Sequence, residues 1–136
     1  MTAETIATFT RKIAASNRTE LICVLYEIYF AYETEALDFL EAQKTGDVTD
    51  YTKAVRQCGQ VVRHLKEALD FSYDISYSLY ALYDYVERTL ARAMYEQKAD
   101  TIHAAGNVMR HLQDSFVQLA KEDASAPLMG NTQQVT

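Results

Sequence analysis

Four segments of the chain repeat an apolar residue every three or four positions, and almost no helix-breaking residue interrupts them. The 136 residues include only four glycines and one proline. The expected core-facing series run from Leu21 to Phe39, Tyr51 to Leu69, Ile75 to Ala93, and Ile102 to Leu119. Alternating steps of three and four residues place side chains on one face of an α-helix. The pattern therefore predicts an all-α fold, an antiparallel four-helix bundle.

Capping residues set the expected ends of these helices. We predict helices near 18–44, 49–70, 73–97 and 101–122. The connections are short, which favours antiparallel packing of consecutive helices. The residues expected to cap or end the helices are Asn17, Lys44–Gly46, Asp47, Thr49, Ser72 and Asp100.

The two ends of the chain are expected to differ from the bundle. Ile6, Phe9 and Ile13 form one apolar edge of a helix that is too short to persist alone in water. We expect residues 1–16 either to dock as an N-terminal capping segment or to lack fixed structure. The bundle and this segment form a single domain, 1–123. Residues 124–136 lack periodicity and are predicted to be a flexible tail.

Charge and composition limit the class of partner. The formal net charge is -6, and one segment concentrates acidic residues: Glu20, Glu27, Glu33, Glu35, Asp38 and Glu41. Such a surface repels phosphate, so we expect neither nucleic acid nor an anionic membrane as partner. There is no apolar run long enough to insert in a bilayer and no apolar stretch typical of a secretory signal. The expected location is the cytoplasm.

The residues that carry chemistry in helical bundles do not form a recognisable site. Cys23 and Cys58 have no metal-binding spacing, and we interpret them as buried, reduced thiols. The Glu-x-x-His motif of di-metal bundles is missing before His64, His103 and His111. Nucleotide-binding and nucleophile motifs are missing as well. We expect no catalytic residue, no metal, no cofactor and no enzymatic activity.

Ten tyrosines are present, and five of them lie between Tyr73 and Tyr85. On a helical projection, Tyr73, Tyr77 and Tyr80 lie opposite the aliphatic series that begins at Ile75. Tyr83 lies at the edge of that group, and Tyr85 lies on the other flank. The first predicted helix also carries a second apolar group beside its core series, and one core-facing stripe does not need it.

Two interpretations of these aromatic flanks remain open. They complete the core or lie harmlessly in water, or they form a surface that binds a partner. We favour the second. The expected partner-binding residues are Ile22, Tyr26, Tyr29, Phe30, Leu37, Tyr73, Tyr77, Tyr80, Tyr83 and Tyr85.

The run LKEALDFSYDISYSLYALYDYVERTLARA, residues 65–93, resembles the signature of the flagellin export chaperones of the FliS family. The shared elements are a Leu-Tyr-Asp-Tyr sequence at 82–85, followed by Leu90 and Ala93. The run AASNRTELICVLYE, residues 14–27, is similar to an earlier element of that family. The resemblance covers about residues 14–120. The chain departs from the family pattern at Asn17, Ile28, Ser78, Met94 and Phe116.

The resemblance implies a cytosolic, non-enzymatic chaperone. Such a protein would bind the C-terminal segment of flagellin, prevent premature polymerisation and present the subunit to the export gate. The resemblance also implies an N-terminal segment that can cover a hydrophobic groove. The alternative is a structural or regulatory homodimer, or a related chaperone with a different client. In a homodimer the aromatic surface would pair with itself around a two-fold axis.

Overall fold

Helices account for nearly all of the residues that the structure, a computed structural model, describes. These residues are 1–15, 18–42 and 48–125. The helices are α1 (Ala3–Ala15), α2 (Arg18–Ala42), α3 (Thr49–Glu67), α4 (Ile75–Glu96) and α5 (Ala99–Ser125). None of the described residues forms a β-strand. The predicted all-α bundle is confirmed.

Helices α2 to α5 form a closed ring in which each helix packs against two neighbours. α2 contacts α3 and α5, and α4 contacts the same two helices. Side-chain contacts give the directions. The hydroxyl of Tyr51, near the start of α3, donates a hydrogen bond to the carbonyl oxygen of Ala93, near the end of α4. Lys66, at the end of α3, lies beside Glu87, earlier in α4. These two helices are therefore antiparallel.

Helix α1 lies outside the ring and, among the described helices, packs only against α2. Lys12 forms a 3.2 Å ion pair with Glu27, and the amino group of Met1 pairs with Glu35. Ile6 and Ile13 remain exposed. Residues 3–15 are thus a docked helix whose own apolar edge is only partly covered.

Several predicted helix ends and caps differ from the structure. α4 begins at Ile75, and Ser72 donates from its backbone and hydroxyl to Asp70 instead of capping α4. Asp100 lies within the first turn of α5, and Val48, ahead of Thr49, is the N-cap of α3. The predicted features at Asn17, Lys44–Gly46 and Asp47 and the predicted tail beyond Ser125 lie outside the described residues.

The buried side of α4 differs from the predicted aliphatic series. Leu82 is 39% exposed and Ile75 is 61% exposed, so their prediction as core residues was wrong. Tyr83 is only 1% exposed, and its hydroxyl lies 2.6 Å from the hydroxyl of Tyr26 on α2. Burying the tyrosine ring with a satisfied hydroxyl rotates α4 away from the orientation that Leu82 would favour.

The prediction of which residues of α2 are buried was also partly wrong. The residues buried on α2 are Val24, Tyr26, Tyr29, Glu33 and Ala36. The predicted core residues Leu25, Ile28, Tyr32 and Phe39 pack against this core but stay partly exposed. α2 touches three helices, α1, α3 and α5. Apolar residues around most of its circumference are the consequence, since each neighbour covers part of it.

A buried carboxylate fixes how closely α2 and α5 approach. Glu33 is buried, accepts a hydrogen bond from Tyr29 and forms a 3.2 Å ion pair with Arg110. Burial raises the pKa of Glu33, and the nearby Arg110 opposes that shift. Gly106 lies directly against the carboxylate. By contrast, no heavy atom from elsewhere in the described part of the chain lies within 4 Å of the position that a Cβ would occupy at Gly59.

Replacing these two helical glycines with alanine is expected to have opposite effects. Gly59→Ala should stabilise the protein by about 0.5–1 kcal/mol, because alanine favours the helix and the space is open. Gly106→Ala should destabilise it by about 1–3 kcal/mol, because the new methyl group collides with the buried Glu33 carboxylate. Urea unfolding measures both. Equal changes in the two variants would contradict the close approach of α2 and α5 at Gly106.

Candidate protein-interaction surface

Three of the predicted partner-binding residues lie inside the bundle. Tyr26, Tyr29 and Tyr83 are fully buried, so their predicted place on the surface was wrong. Burial raises the pKa of Tyr26 and Tyr83, which keeps both hydroxyls protonated and able to donate. Tyr26 also packs on Phe116 of α5 with ring centroids 5.6 Å apart. A partner could reach these rings only if helices moved.

Two predicted binding residues meet at the surface where α3 turns into α4. Tyr77 and Tyr80 pack edge to face against Phe71, at centroid distances of 5.1 and 6.0 Å. All three rings are exposed, and Tyr77 is 63% exposed. We call Phe71, Tyr77 and Tyr80 the aromatic cluster. Its rings hold each other in place while their outer faces remain available to a partner.

A charged network borders the aromatic cluster. Lys66 Nζ lies 4.5 Å from the centroid of the Tyr80 ring and 2.8 Å from Glu87 Oε1. Contact with Glu87 raises the pKa of Lys66. The network joins α3 to α4 electrostatically and fixes one edge of the cluster.

A second exposed group lies on another side of α4. Ile75, Leu82 and Tyr85 are all exposed, and their spacing of seven and three residues places them on one helical face. We call these three residues the apolar strip. Tyr85 was predicted as a binding residue, whereas Ile75 and Leu82 were predicted as core. α4 therefore presents large apolar side chains on two sides of its buried seam.

The remaining predicted residues occupy boundary positions. Ile22, Phe30, Leu37 and Tyr73 are all partly buried. Phe30 packs against Tyr29 and lies under the guanidinium of Arg110, at 5.1 Å from the ring centroid. These contacts give Phe30 a packing role in the bundle.

Open grooves run between helices, among them two that are lined by described residues. One, of about 380 Å³, lies between α3 and α4, and its lining includes Val55, Gly59, Leu90 and Met94. The other, of about 330 Å³, lies between the start of α1, α2 and α3. Ile6, Tyr32 and Phe39 contribute apolar walls to the second groove.

The sequence pattern did not indicate that Phe71 contributes to this exposed surface. Phe71 stands in the short connection between α3 and α4, outside any helical period. The available signal was an aromatic residue beside Asp70 and Ser72 in a connecting segment, where solvent exposure is the normal outcome. The exposure of Ile75 had no comparable signal, because its spacing fits the core series.

The described residues contain no group of three or more His, Cys, Asp and Glu side chains placed to hold a metal ion. Cys58 is buried and Cys23 is partly buried, and neither forms a disulfide. Burial raises the pKa of both thiols. Within the described part of the chain, no helix is long and apolar enough to cross a membrane.

Among the described residues, the fold is a closed ring of four helices, a helical bundle, and its exposed apolar and aromatic side chains concentrate around the start of α4. The family model described as flagellar protein FliS matches residues 2–123. The chain belongs to the FliS family, which is a family of flagellar export chaperones. This confirms the resemblance found in the sequence. No curated protein is similar enough to be reported as a relative.

Two tyrosines on the same helix provide a matched test of core against surface. Tyr83→Ala should cost about 3 kcal/mol or more in the free energy of unfolding, because it leaves a cavity and removes the hydroxyl partner of Tyr26. Tyr77→Ala should change stability by no more than about 0.5 kcal/mol. Chemical denaturation followed by circular dichroism measures both values. Comparable losses would contradict the burial of Tyr83 relative to Tyr77.

Proposed function

We propose that this chaperone binds the C-terminal segment of newly made flagellin in the cytoplasm, keeps it from polymerising and presents it to the flagellar export apparatus. Membership of the FliS family supports an export-chaperone role in general. The choice of flagellin as client rests on the sequence elements at 82–85 and 14–27, together with the surface of α4.

One observation carries the proposal. Among the described residues, ten large hydrophobic side chains are exposed. Six of them fall within residues 71–85, and they are the aromatic cluster and the apolar strip. Exposed apolar patches on a soluble protein mark interaction sites. The concentration of exposed apolar side chains around the first half of α4 favours an elongated apolar partner.

The proposed mechanism is stoichiometric capture. An amphipathic helix of the client lays its apolar face on α4, and burial of apolar surface drives the association. The tyrosine hydroxyls at the rim stay in water, so the site binds apolar side chains without desolvating its own polar atoms. Covering the polymerising segment of flagellin in this way prevents contacts between flagellin subunits. No covalent step is involved.

Binding to a synthetic flagellin C-terminal segment tests the proposal. Tyr77→Ala and Tyr85→Ala should each weaken the affinity about tenfold or more, because exposed tyrosines at an interface act as binding hot spots. Tyr95→Ala is the matched control, since Tyr95 is 81% exposed but lies at the far end of α4. Isothermal titration calorimetry measures the three affinities.

Two results would contradict the proposal. The first is no binding of the flagellin segment by the unaltered protein. The second is an equal loss in all three variants. If the protein alone is a dimer that Tyr77→Ala dissociates, the surface serves self-association, as the homodimer alternative requires.

Helix α1 provides a separate prediction, because few contacts hold it on α2: the exposed Lys12–Glu27 pair, the pairing of the Met1 amino group with Glu35, and partly covered apolar residues. Exposed pairs such as Lys12–Glu27 contribute little stability. Deleting residues 1–15 should uncover Tyr32 and Phe39 and either raise client affinity several-fold or cause self-association. Calorimetry and size-exclusion chromatography measure the two effects. Lys12→Gln, which leaves α1 in the chain, is the control; an unchanged truncated protein would contradict a covering role.

A further inference from the structure

The groove between α3 and α4 is distinct from the apolar strip on α4. Its apolar floor is formed by Val55, Leu90 and Met94, and small residues, Gly59 and Ala91, line its two walls. The two helices that form the walls are antiparallel and close together. A groove of this shape accommodates the side chains of a third helix laid along it.

Gly59 gives the first reason to assign the groove a binding role. It lies inside α3, where glycine weakens a helix relative to alanine. Gly106 is explained by the Glu33 carboxylate against it, whereas at Gly59 no atom of a described residue, apart from the local backbone of α3, lies within 4 Å of the Cβ position. The fold itself therefore does not require a glycine at residue 59. Close approach of another backbone is a physical reason for glycine at an open position.

Charge at the rim gives the second reason. Arg56 and Arg63 line the groove and are exposed. Arg56 forms no ion pair with a described residue, and Arg63 reaches Glu87 only at 3.9 Å. Lys66 lies closer to that carboxylate, at 2.8 Å. In a protein of net charge -6, this rim is a local excess of positive charge over an apolar floor.

We propose that the α3–α4 groove binds an acidic amphipathic helix of a partner protein. The apolar side chains of that helix occupy the floor, its backbone approaches α3 at Gly59, and its carboxylates meet Arg56 and Arg63. Charge complementarity selects this occupant over an uncharged or basic helix. The proposal does not depend on flagellin being the client.

Two synthetic amphipathic peptides serve as probes. Each is about 15 residues long, stapled because helices of that length are marginal in water, and they share a leucine–alanine seam. Glutamates flank the seam in one and lysines in the other. Fluorescence anisotropy should show the glutamate peptide binding roughly tenfold or more tightly than the lysine peptide. Added salt should reduce that difference.

Gly59→Gln separates binding from folding. Glutamine is a good helix former, and the space beside residue 59 is open, so the melting temperature should rise. The longer side chain fills the groove, so binding of the glutamate peptide should fall about tenfold or more. Because stability and affinity move in opposite directions, unfolding cannot account for the loss.

Arg56→Glu tests the charge at the rim. It should reverse the preference between the two peptides. Arg11→Glu is the matched control, because it changes the net charge equally on α1, which among the described helices contacts only α2. It should leave the preference unchanged. The proposal is overturned if neither peptide binds, if both bind equally, or if Gly59→Gln binds like the parent. It is also overturned if Gly59→Gln dissociates a dimer, because the groove would then hold a second copy of the chain.

Discussion

Tyrosine hydroxyls buried inside the bundle constrain how its helices pack. A buried hydroxyl without a partner is costly, so each ring can be buried only where its oxygen meets another polar group. Tyr26 meets Tyr83 across α2 and α4, and Tyr51 donates to the carbonyl of Ala93 across α3 and α4. Tyr29 donates to Glu33, which binds Arg110 on α5. Together these contacts connect all four helices of the ring and fix their rotation.

The sequence predicts the number and approximate extent of the helices, because the apolar period and the scarcity of helix breakers depend only on local spacing. Helix rotation depends on contacts between distant segments. Leu82 and Tyr83 are adjacent, and either could face the core by apolarity. The choice is made by Tyr26, which lies 57 positions away in the chain. Hydrophobicity ranks Leu82 first, but it does not include the partner that makes burial of Tyr83 favourable.

The candidate surface also has one part that local spacing predicts and another part that depends on contacts between distant segments. The exposure of Tyr77 and Tyr80 follows from their position opposite the aliphatic series, so the sequence could predict it. The third ring of the aromatic cluster, Phe71, comes from a connection whose path no period defines. The α3–α4 groove could not be predicted from the sequence either, because it depends on small residues from two helices meeting across the seam. Gly59 stands out only when its empty surroundings are compared with the carboxylate against Gly106.

The buried hydroxyl contacts also bear on how the outer surface of α4 works. Tyr83 is anchored on Tyr26 at 2.6 Å, and Leu82 and Tyr85 lie on either side of it in sequence. Fixing Tyr83 fixes the rotation of α4, and with it the directions in which the apolar strip and the aromatic cluster project. A surface already held in its binding geometry loses less conformational entropy when a partner docks. The polar contacts inside the bundle therefore support the proposed binding on its outside.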